Sequence, residues 1–389
     1  MDLHFTAAEE AFRAEARAWL TAHVPRIPLP SLETAEGFAA HREWERMLSA
    51  DRWSVVSWPE EYGGRGASLL EWLIFEEEYY SANAPGRVGQ NGISLLAPSL
   101  FEHGTDEQRA RILPPTARGD VIWAQAWSEP ESGSDLASLR STATRTDGGW
   151  LLSGQKTWAS RAAFADRAFG LFRSHPGADR PHHGLTYLMF SLRAPGVSVR
   201  PIRRIDGKPA FAELFLDSVF VPDEDVLGEP GQGWRIAMST AGNERGLTLR
   251  SPGRFSAAAD RLTALWREQA DPADTAVRDR VADAMIGARA YRLFTYAAAS
   301  RIAAGGTLGP ESSMNKIFWS ELDIALHETA LDILGPYGEL AHEAVEAPEY
   351  GSWAEGYTFS LAGPIYAGTN EIQRDIIAER LLGLPKGRR

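Results

Sequence analysis

The hydrophobic period of this sequence changes twice, and no other feature constrains the fold as strongly. Up to about residue 119 apolar residues recur at helical spacing. Thr6 can cap a segment in which Phe12, Ala16 and Leu20 share one face, ending near the prolines at 25 and 28. Leu69 to Tyr80 reads as a second helix, broken by Ala84-Pro85-Gly86, and between them Trp58-Pro59 and Tyr62-Gly63-Gly64 make a turn. From about residue 120 the period falls to two. Ser141 to Thr146, an Asp147-Gly148-Gly149 turn and Trp150 to Ser153 read as a β-hairpin. Further β-like runs follow at Arg167 to Arg173, Leu185 to Leu192, Val197 to Ile202 and Phe211 to Leu216, a spacing that predicts a barrel or sandwich. After Gly228-Glu-Pro-Gly-Gln-Gly-Trp234 the helical period returns. Trp234, Met238, Ala241 and Arg245 recur together, and Ala/Leu-rich helices continue to about residue 335. A last helix is expected from Thr369 or Asn370, with Gln373 able to complete a capping box from Asn370.

The expected class is therefore α+β: a helical domain over residues 1–119, a middle β-barrel or sandwich over 120–228, and a C-terminal helical bundle over 229–389. At 44% hydrophobic, 389 residues hold ample material for a core. A formal charge of −12 argues against a nucleic-acid partner, which would demand a basic face. With no cysteine, disulfides, zinc thiolates and thiol nucleophiles are excluded, and no metal site is expected. Met1-Asp-Leu-His-Phe-Thr lacks a signal-peptide pattern, and no apolar run is long enough to cross a bilayer. The expectation is a cytoplasmic protein with no membrane partner.

Three segments carry chemistry. The first is Trp127-Ser-Glu-Pro-Glu-Ser-Gly-Ser-Asp135, a glycine-bearing loop that can bring hydroxyls and backbone amides close to a ligand. The second is Gly154-Gln-Lys-Thr-Trp158-Ala-Ser160, and the third is Ile365-Tyr-Ala-Gly-Thr-Asn-Glu-Ile-Gln373, running into Arg374-Asp-Ile-Ile-Ala-Glu-Arg-Leu-Leu-Gly383. Singly, each has a plain structural reading: an ordinary Ser/Gly loop, a core tryptophan in a strand, a capped terminal helix.

Taken together and in this order, they resemble the acyl-CoA dehydrogenase family, and the resemblance covers essentially the whole chain. It implies FAD-dependent α,β-dehydrogenation of an acyl-CoA thioester, with the α-proton going to a carboxylate and the β-hydride to FAD N5. The resemblance places Ser128 and Ser134 at flavin and acyl-pantetheine contacts, Trp158 against the flavin, and the Ser160 hydroxyl near N5. It adds Gln125, Trp127, Thr369 and Glu371 to the cofactor-binding set, and Ser134, Arg245 and Tyr366 to the substrate-binding set.

The chain departs from the family's best-known members at the base. They carry a glutamate before the Gly-Thr pair; here that position is Ala367. A subset places its glutamate in a Glu-Arg pair on the first long helix of the C-terminal domain, and here that helix holds Asn243-Glu-Arg-Gly-Leu247. The resemblance thus makes Glu244 the catalytic base, with Arg245 beside it as an orienting charge. Ala367 keeps its backbone N–H, part of the family's oxyanion stabilisation. The small residues Ala367, Gly242 and Gly246 are consistent with room for a branched or bulky acyl group.

A second departure concerns the half of the flavin site that a neighbouring subunit supplies in this family. Its Arg-x-x-Phe-Gly segment is absent, and that region reads Trp266-Arg-Glu-Gln-Ala-Asp-Pro-Ala-Asp274. Its Gln-Ile-x-Gly-Gly stretch is replaced by Asp332-Ile-Leu-Gly-Pro336, which sets an acid where a pyrophosphate is expected. Two assemblies follow. One is a homodimer or tetramer with other pyrophosphate ligands, such as Arg250, Arg254 or Lys316. The other is an α2β2 heteromer with a paralogous chain, as in some bacterial relatives. An electron-transfer flavoprotein is the acceptor that the resemblance implies. Competing functions are a dehydrogenase of acyl-carrier-protein thioesters, a flavin oxidase or monooxygenase, and a non-catalytic partner subunit. Ala367 and Pro336 favour the last; Glu244, Ser128, Trp158 and Ser160 oppose it.

Overall fold

A computed structural model describes residues 4–245, 251–307, 309–340 and 344–386, without the side chains of 242–245. Helix α1 (Ala7–His23) starts at Thr6 with a full capping box: Glu9 N–H donates to Thr6 Oγ1 at 3.2 Å, and Thr6 N–H donates to Glu9 Oε2 at 2.7 Å. Ser68 and Glu71 cap α3 (Leu69–Ser81) in the same way, and Thr105 and Gln108 cap α5 (Asp106–Ala117). Helices α2 (Ala35–Ala50) and α4 (Ala97–His103) complete the α-helices described before the first strand. Sequence reasoning passed over α2, whose inner face mixes Phe38, Trp44 and Leu48 with the buried polar residues His41 and Glu45.

By their internal contacts the residues group into two compact units. The first gathers the chain up to Pro28, Ser68–Ala84, and Arg245 onward; the second gathers Leu29–Ala67 and Pro85–Glu244. The first 119 residues contribute to both.

The second unit is built on one eight-stranded sheet: β1 (Trp123–Ala126), β2 (Thr142–Thr146), β3 (Gly149–Ser160), β4 (Arg167–Arg173), β5 (Leu185–Ser191), β6 (Val197–Ile202), β7 (Phe211–Pro222) and β8 (Val226–Leu227). Its order is β6-β7-β3-β2-β4-β5-β8, with β1 pairing parallel to β4. The predicted hairpin is present, with Arg145 opposite Trp150. β3 and β7 both run well past their expected ends. Leu152, Phe172, Phe190, Leu214 and Val219 are among the residues filling the core on this sheet. Helix α6 (Gly233–Arg245) ties back to α4 through a buried hydroxyl pair, Thr240 to Ser99 at 2.6 Å.

The first unit is all-helical among the described residues: α1, α3, α7 (Pro252–Gln269), α8 (Thr275–Ala303), α9 (Ser312–Leu334), α10 (Ser352–Ser360) and α11 (Asn370–Ile376). Phe255, Leu262, Tyr291, Trp319, Leu326 and Trp353 lie at its centre. Gly253 lets α7 meet α3 at close range, since a Cβ there would lie 2.8 Å from the Glu76 carbonyl oxygen. A charge network fixes α1 to α3 and α8: Arg13 and Arg17 each bond Glu78 at 2.9 and 2.8 Å, while Arg292 bonds Glu77 at 2.5 Å. No helix among the described residues is long and apolar enough to cross a membrane.

Candidate active site

In the sheet-bearing unit, β1 runs out into the Trp127–Asp135 loop. Glu129 and Ser132 exchange backbone hydrogen bonds of 2.8 and 3.0 Å, closing the turn on itself. The Glu129 carboxylate then anchors the loop from beneath. It accepts from the backbone N–H of Arg140 (2.6 Å) and Ser141 (2.9 Å) and from Lys156 Nζ (2.8 Å). Lys156 is fully buried; it also donates to the Leu171 carbonyl at 2.7 Å and lies 4.8 Å from the centre of the Phe172 ring. Burial pushes the Lys156 ammonium down to about 8, although Glu129 pulls the other way. Burial also works against the Glu129 carboxylate, but Lys156, the Arg140 N–H and Ser141 outweigh it and hold the group below the usual carboxylate range.

The loop is fastened to β3 by the Thr157 N–H, which donates to the Ser128 carbonyl at 2.8 Å. That bond lies at a bulge. Lys156 pairs with Leu214 and Ala159 with Ala212, so β3 spends one residue more than β7. The bulge leaves Trp158 at φ +59°, 58% exposed, between buried Thr157 and buried Ala159. A large aromatic held out of the core on left-handed backbone is rare, and marks a surface kept for contact rather than packing. Phe211 meets the indole edge-on at 5.9 Å. Half-buried Ser160 follows, and then Arg161 (φ +55°), which bonds Glu33 at 3.1 Å. On β1 and just beyond it, Gln125 Nε2 and Trp127 Nε1 are buried with no acceptor among the described residues. Unsatisfied buried donors are costly and few in native proteins. Two such donors beside hydroxyl-bearing Ser128 fit a planar heterocycle rich in acceptors, as the isoalloxazine of FAD is. Ser134 is exposed at the far end of the same loop.

In the helical unit, the Ile365–Thr369 loop leads into α11. Ala367 (φ +57°) and Gly368 (φ +78°) are successive left-handed residues. Among the described residues their N–H groups have no acceptor. Consecutive backbone N–H groups in such a turn make a concavity suited to negative charge. Thr369 is the N-cap of α11, accepting from the Ile372 N–H at 3.2 Å. The expected capping box from Asn370 to Gln373 is not formed, because both side chains face inward. Fully buried Gln373 donates through Nε2 to the carbonyls of Ala367 and Gly368, each at 3.2 Å. Buried Asn370 accepts from Lys316 Nζ at 2.8 Å and from Ser320 Oγ at 3.2 Å, and its backbone N–H reaches the Pro364 carbonyl at 2.8 Å. Tyr366 packs against Trp319 and Phe359, and Glu371 is exposed.

Of the expected site residues, Gln125, Trp127, Ser128, Trp158 and Ser160 come together around β1 and β3, and Tyr366, Ala367, Thr369 and Glu371 share the C-terminal turn. Glu244 and Arg245 end α6, and their side chains lie outside the described residues, as does Arg250. The other alternative pyrophosphate ligands are engaged internally: Arg254 bonds buried Asp323 at 2.8 Å, and Lys316 is held by Asn370. Asp332 pairs with Arg280 at 2.6 Å. Sequence reasoning missed Glu129, Lys156, Asn370 and Gln373 as the groups that hold these loops. A signal was present, since a lysine and a glutamate inside apolar strand and loop motifs need partners.

Three consecutive family models match the chain: the N-terminal domain of acyl-CoA dehydrogenase over residues 6–120, the middle domain over 124–219 and the C-terminal domain over 231–382. The chain belongs to the acyl-CoA dehydrogenase family, and is an FAD-dependent oxidoreductase of lipid metabolism. It is 38% identical over 385 residues to the acyl-CoA dehydrogenase IpdE1 of Mycobacterium tuberculosis, covering 97% of this chain and 98% of the relative. IpdE1 of Mycolicibacterium smegmatis is 37% identical over 395 residues, with the same coverage of 97% and 98%. Among solved structures, the Tcur3481–Tcur3483 steroid acyl-CoA dehydrogenase aligns with a TM-score of 0.89 at 28% identity, covering 100% of both chains. The ChsE4–ChsE5 complex from Mycobacterium tuberculosis aligns with a TM-score of 0.84 at 29% identity, again covering 100% of both.

Proposed function

We propose that this chain desaturates a bulky, ring-bearing acyl-CoA, with Glu244 as its base and an unlike, paralogous chain completing its FAD site. FAD, when bound, supplies the hydride acceptor for the substrate Cβ. Glu244 removes the α-proton, so that the Cα–H and Cβ–H bonds break and a Cα=Cβ bond forms. The Ala367 N–H donates to the thioester oxygen as the α-carbon gives up its proton and charge moves onto that oxygen. Preorganised donors of this kind act where charge develops and need no rearrangement during the step. Gln125, Trp127, Ser128 and Ser160 offer donors to the flavin, and Trp158 walls it. Thr369 and Glu371 are proposed as further cofactor contacts, and Ser134, Arg245 and Tyr366 as substrate contacts.

The observation that carries this reading is the state of the Ala367 turn. It carries no carboxylate, yet its backbone is left-handed and its N–H groups have no acceptor among the described residues. That combination supports a base moved elsewhere, with electrostatic stabilisation kept in place. The ring-bearing substrate draws support from the similarity to a steroid acyl-CoA dehydrogenase, and from the small side chain at 367. The heteromer draws support from Arg254 and Lys316 being committed to internal partners, and from the two-chain solved relatives. An electron-transfer flavoprotein is the proposed electron acceptor.

Purifying the chain alone and together with its paralogue tests the assembly. The expected result is substoichiometric FAD alone and full FAD occupancy in the complex, with bleaching by ring-bearing acyl-CoAs. Stoichiometric FAD and full bleaching by the chain alone would remove the need for a partner.

A further inference from the structure

The Ala367 turn holds a conformation that its own backbone does not favour. A non-glycine residue at φ +57° is uncommon, and two left-handed residues in succession require outside support. The middle of the turn is supported by the side chain of Gln373. Gln373 has two amide hydrogens, and both are used, one on the Ala367 carbonyl and one on the Gly368 carbonyl, each at 3.2 Å. Gln373 thereby fixes both carbonyls, while the N–H groups of the same residues have no acceptor among the described residues. The side chain is fully buried, and its Oε1 has no partner among the described residues. Gln373 therefore accepts a lasting cost at one end in order to donate twice at the other. Its room is set by Gly368, since a Cβ there would lie 2.5 Å from Gln373 Nε2.

A second tie fixes the far end of the turn. The Lys316 ammonium, fully buried on α9, bonds Asn370 Oδ1, and the Asn370 N–H bonds the Pro364 carbonyl. The turn is thus clamped from 364 to 370, with Ala367 at its middle.

We propose that Gln373 is a positioning residue for the reaction: its amide aims the Ala367 N–H at the substrate's thioester oxygen, with Lys316 and Asn370 holding the frame. The inference rests on the reading of Ala367 as the oxyanion donor. Gln373 touches neither substrate nor cofactor in this account. It acts through the backbone, which leaves the side chain at 367 free to be as small as the substrate requires.

The test uses FAD-loaded enzyme, with its partner chain where one is needed. The probe is cyclohex-1-ene-1-carboxyl-CoA labelled with 13C at the thioester carbonyl, whose stretch is read by isotope-edited infrared difference spectroscopy. In the wild type the bound carbonyl is expected at lower frequency than the free thioester. Gln373→Met should move it back towards the free value and slow single-turnover bleaching by saturated cyclohexanecarboxyl-CoA by about 10²-fold, the loss typical of one oxyanion donor. Probe affinity should fall far less than the bleaching rate, because the bond to the thioester oxygen strengthens as charge develops there. Gln373→Glu, which keeps the volume, should resemble the methionine variant at pH 8 and recover in part at pH 6, where a protonated carboxyl can donate once. An unshifted carbonyl with unchanged bleaching in Gln373→Met overturns the proposal. If that variant does not fold, an unshifted carbonyl in Gln373→Glu at pH 8 overturns it instead. A wild-type carbonyl no lower than the free thioester defeats the oxyanion reading itself, an outcome separable from failure of the Gln373 role.

Discussion

Replacing Lys156 by methionine keeps its stem and deletes the charge beneath the Trp127–Asp135 loop. Glu129 then remains a buried carboxylate with two donors, the N–H groups of Arg140 and Ser141, and the Leu171 carbonyl loses its ammonium. Breaking a buried pair from one side costs roughly 3–5 kcal/mol. Two features favour the low end. The backbone donors go on stabilising the carboxylate, and burial already opposes the Lys156 charge, which brings its pKa down to about 8. The expected loss is about 3 kcal/mol. It is read from the urea midpoint of FAD-saturated protein at pH 7, followed by tryptophan fluorescence. Removing both charges, as in Glu129→Leu with Lys156→Met, should not restore the wild type. The Arg140 and Ser141 N–H groups would lose their acceptor, at about 1–3 kcal/mol each. A loss below about 1 kcal/mol in Lys156→Met, or full recovery in the double variant, would mean that the pair does not anchor the loop.

Three further outcomes are expected. Trp158→Ala should leave stability within about 0.5 kcal/mol, because the indole is exposed, while FAD is lost more readily on gel filtration; a large stability loss with normal FAD retention would make Trp158 a packing residue. Gly368→Ala places a methyl against Gln373 on backbone at φ +78°, and should cost more than about 1 kcal/mol in a urea melt; an unchanged melt would mean that the clamp is slack. His41 is buried against the carbonyls of Gly86 (2.7 Å) and Pro30 (3.1 Å), beside Glu45 and Arg161, and burial lowers its pKa despite those bonds. Below about pH 6.5 the unfolded chain therefore binds a proton that the folded chain resists, so stability falls with acid until the lowered pKa is reached. His41→Gln should flatten that part of the pH–stability curve, and an unaltered slope would assign it to other groups.

Much of the fold is legible because period and punctuation agree. Thr6 caps α1 as the sequence suggests, and the strands at 167–173 and 197–202 fall where their alternation and flanking turns place them. Helix α2 is harder to see because two of its inward residues, His41 and Glu45, are polar and find their partners far along the chain. The C-terminal turn shows the same limit. A Thr-Asn-x-x-Gln run predicts a cap, but which residue caps depends on where the interior lies. Lys316 draws Asn370 inward, and the capping role passes to Thr369. The residues proposed to face the flavin are legible as motifs, whereas the pairing of Glu129 with Lys156 becomes evident only once β3 lies beneath the loop. The outward turn of Trp158 depends on a single-residue bulge against β7, which no local pattern announces.

Glu244 is proposed to perform the proton abstraction that Ala367 cannot. The most direct test is anaerobic stopped-flow bleaching of the FAD-loaded enzyme by ring-bearing acyl-CoAs, comparing wild type with Glu244→Gln. The variant should bind substrate and FAD normally but bleach at least 10²-fold more slowly, roughly the lower bound for losing a positioned base. Bleaching at the wild-type rate would contradict this role, and would place the base on another residue.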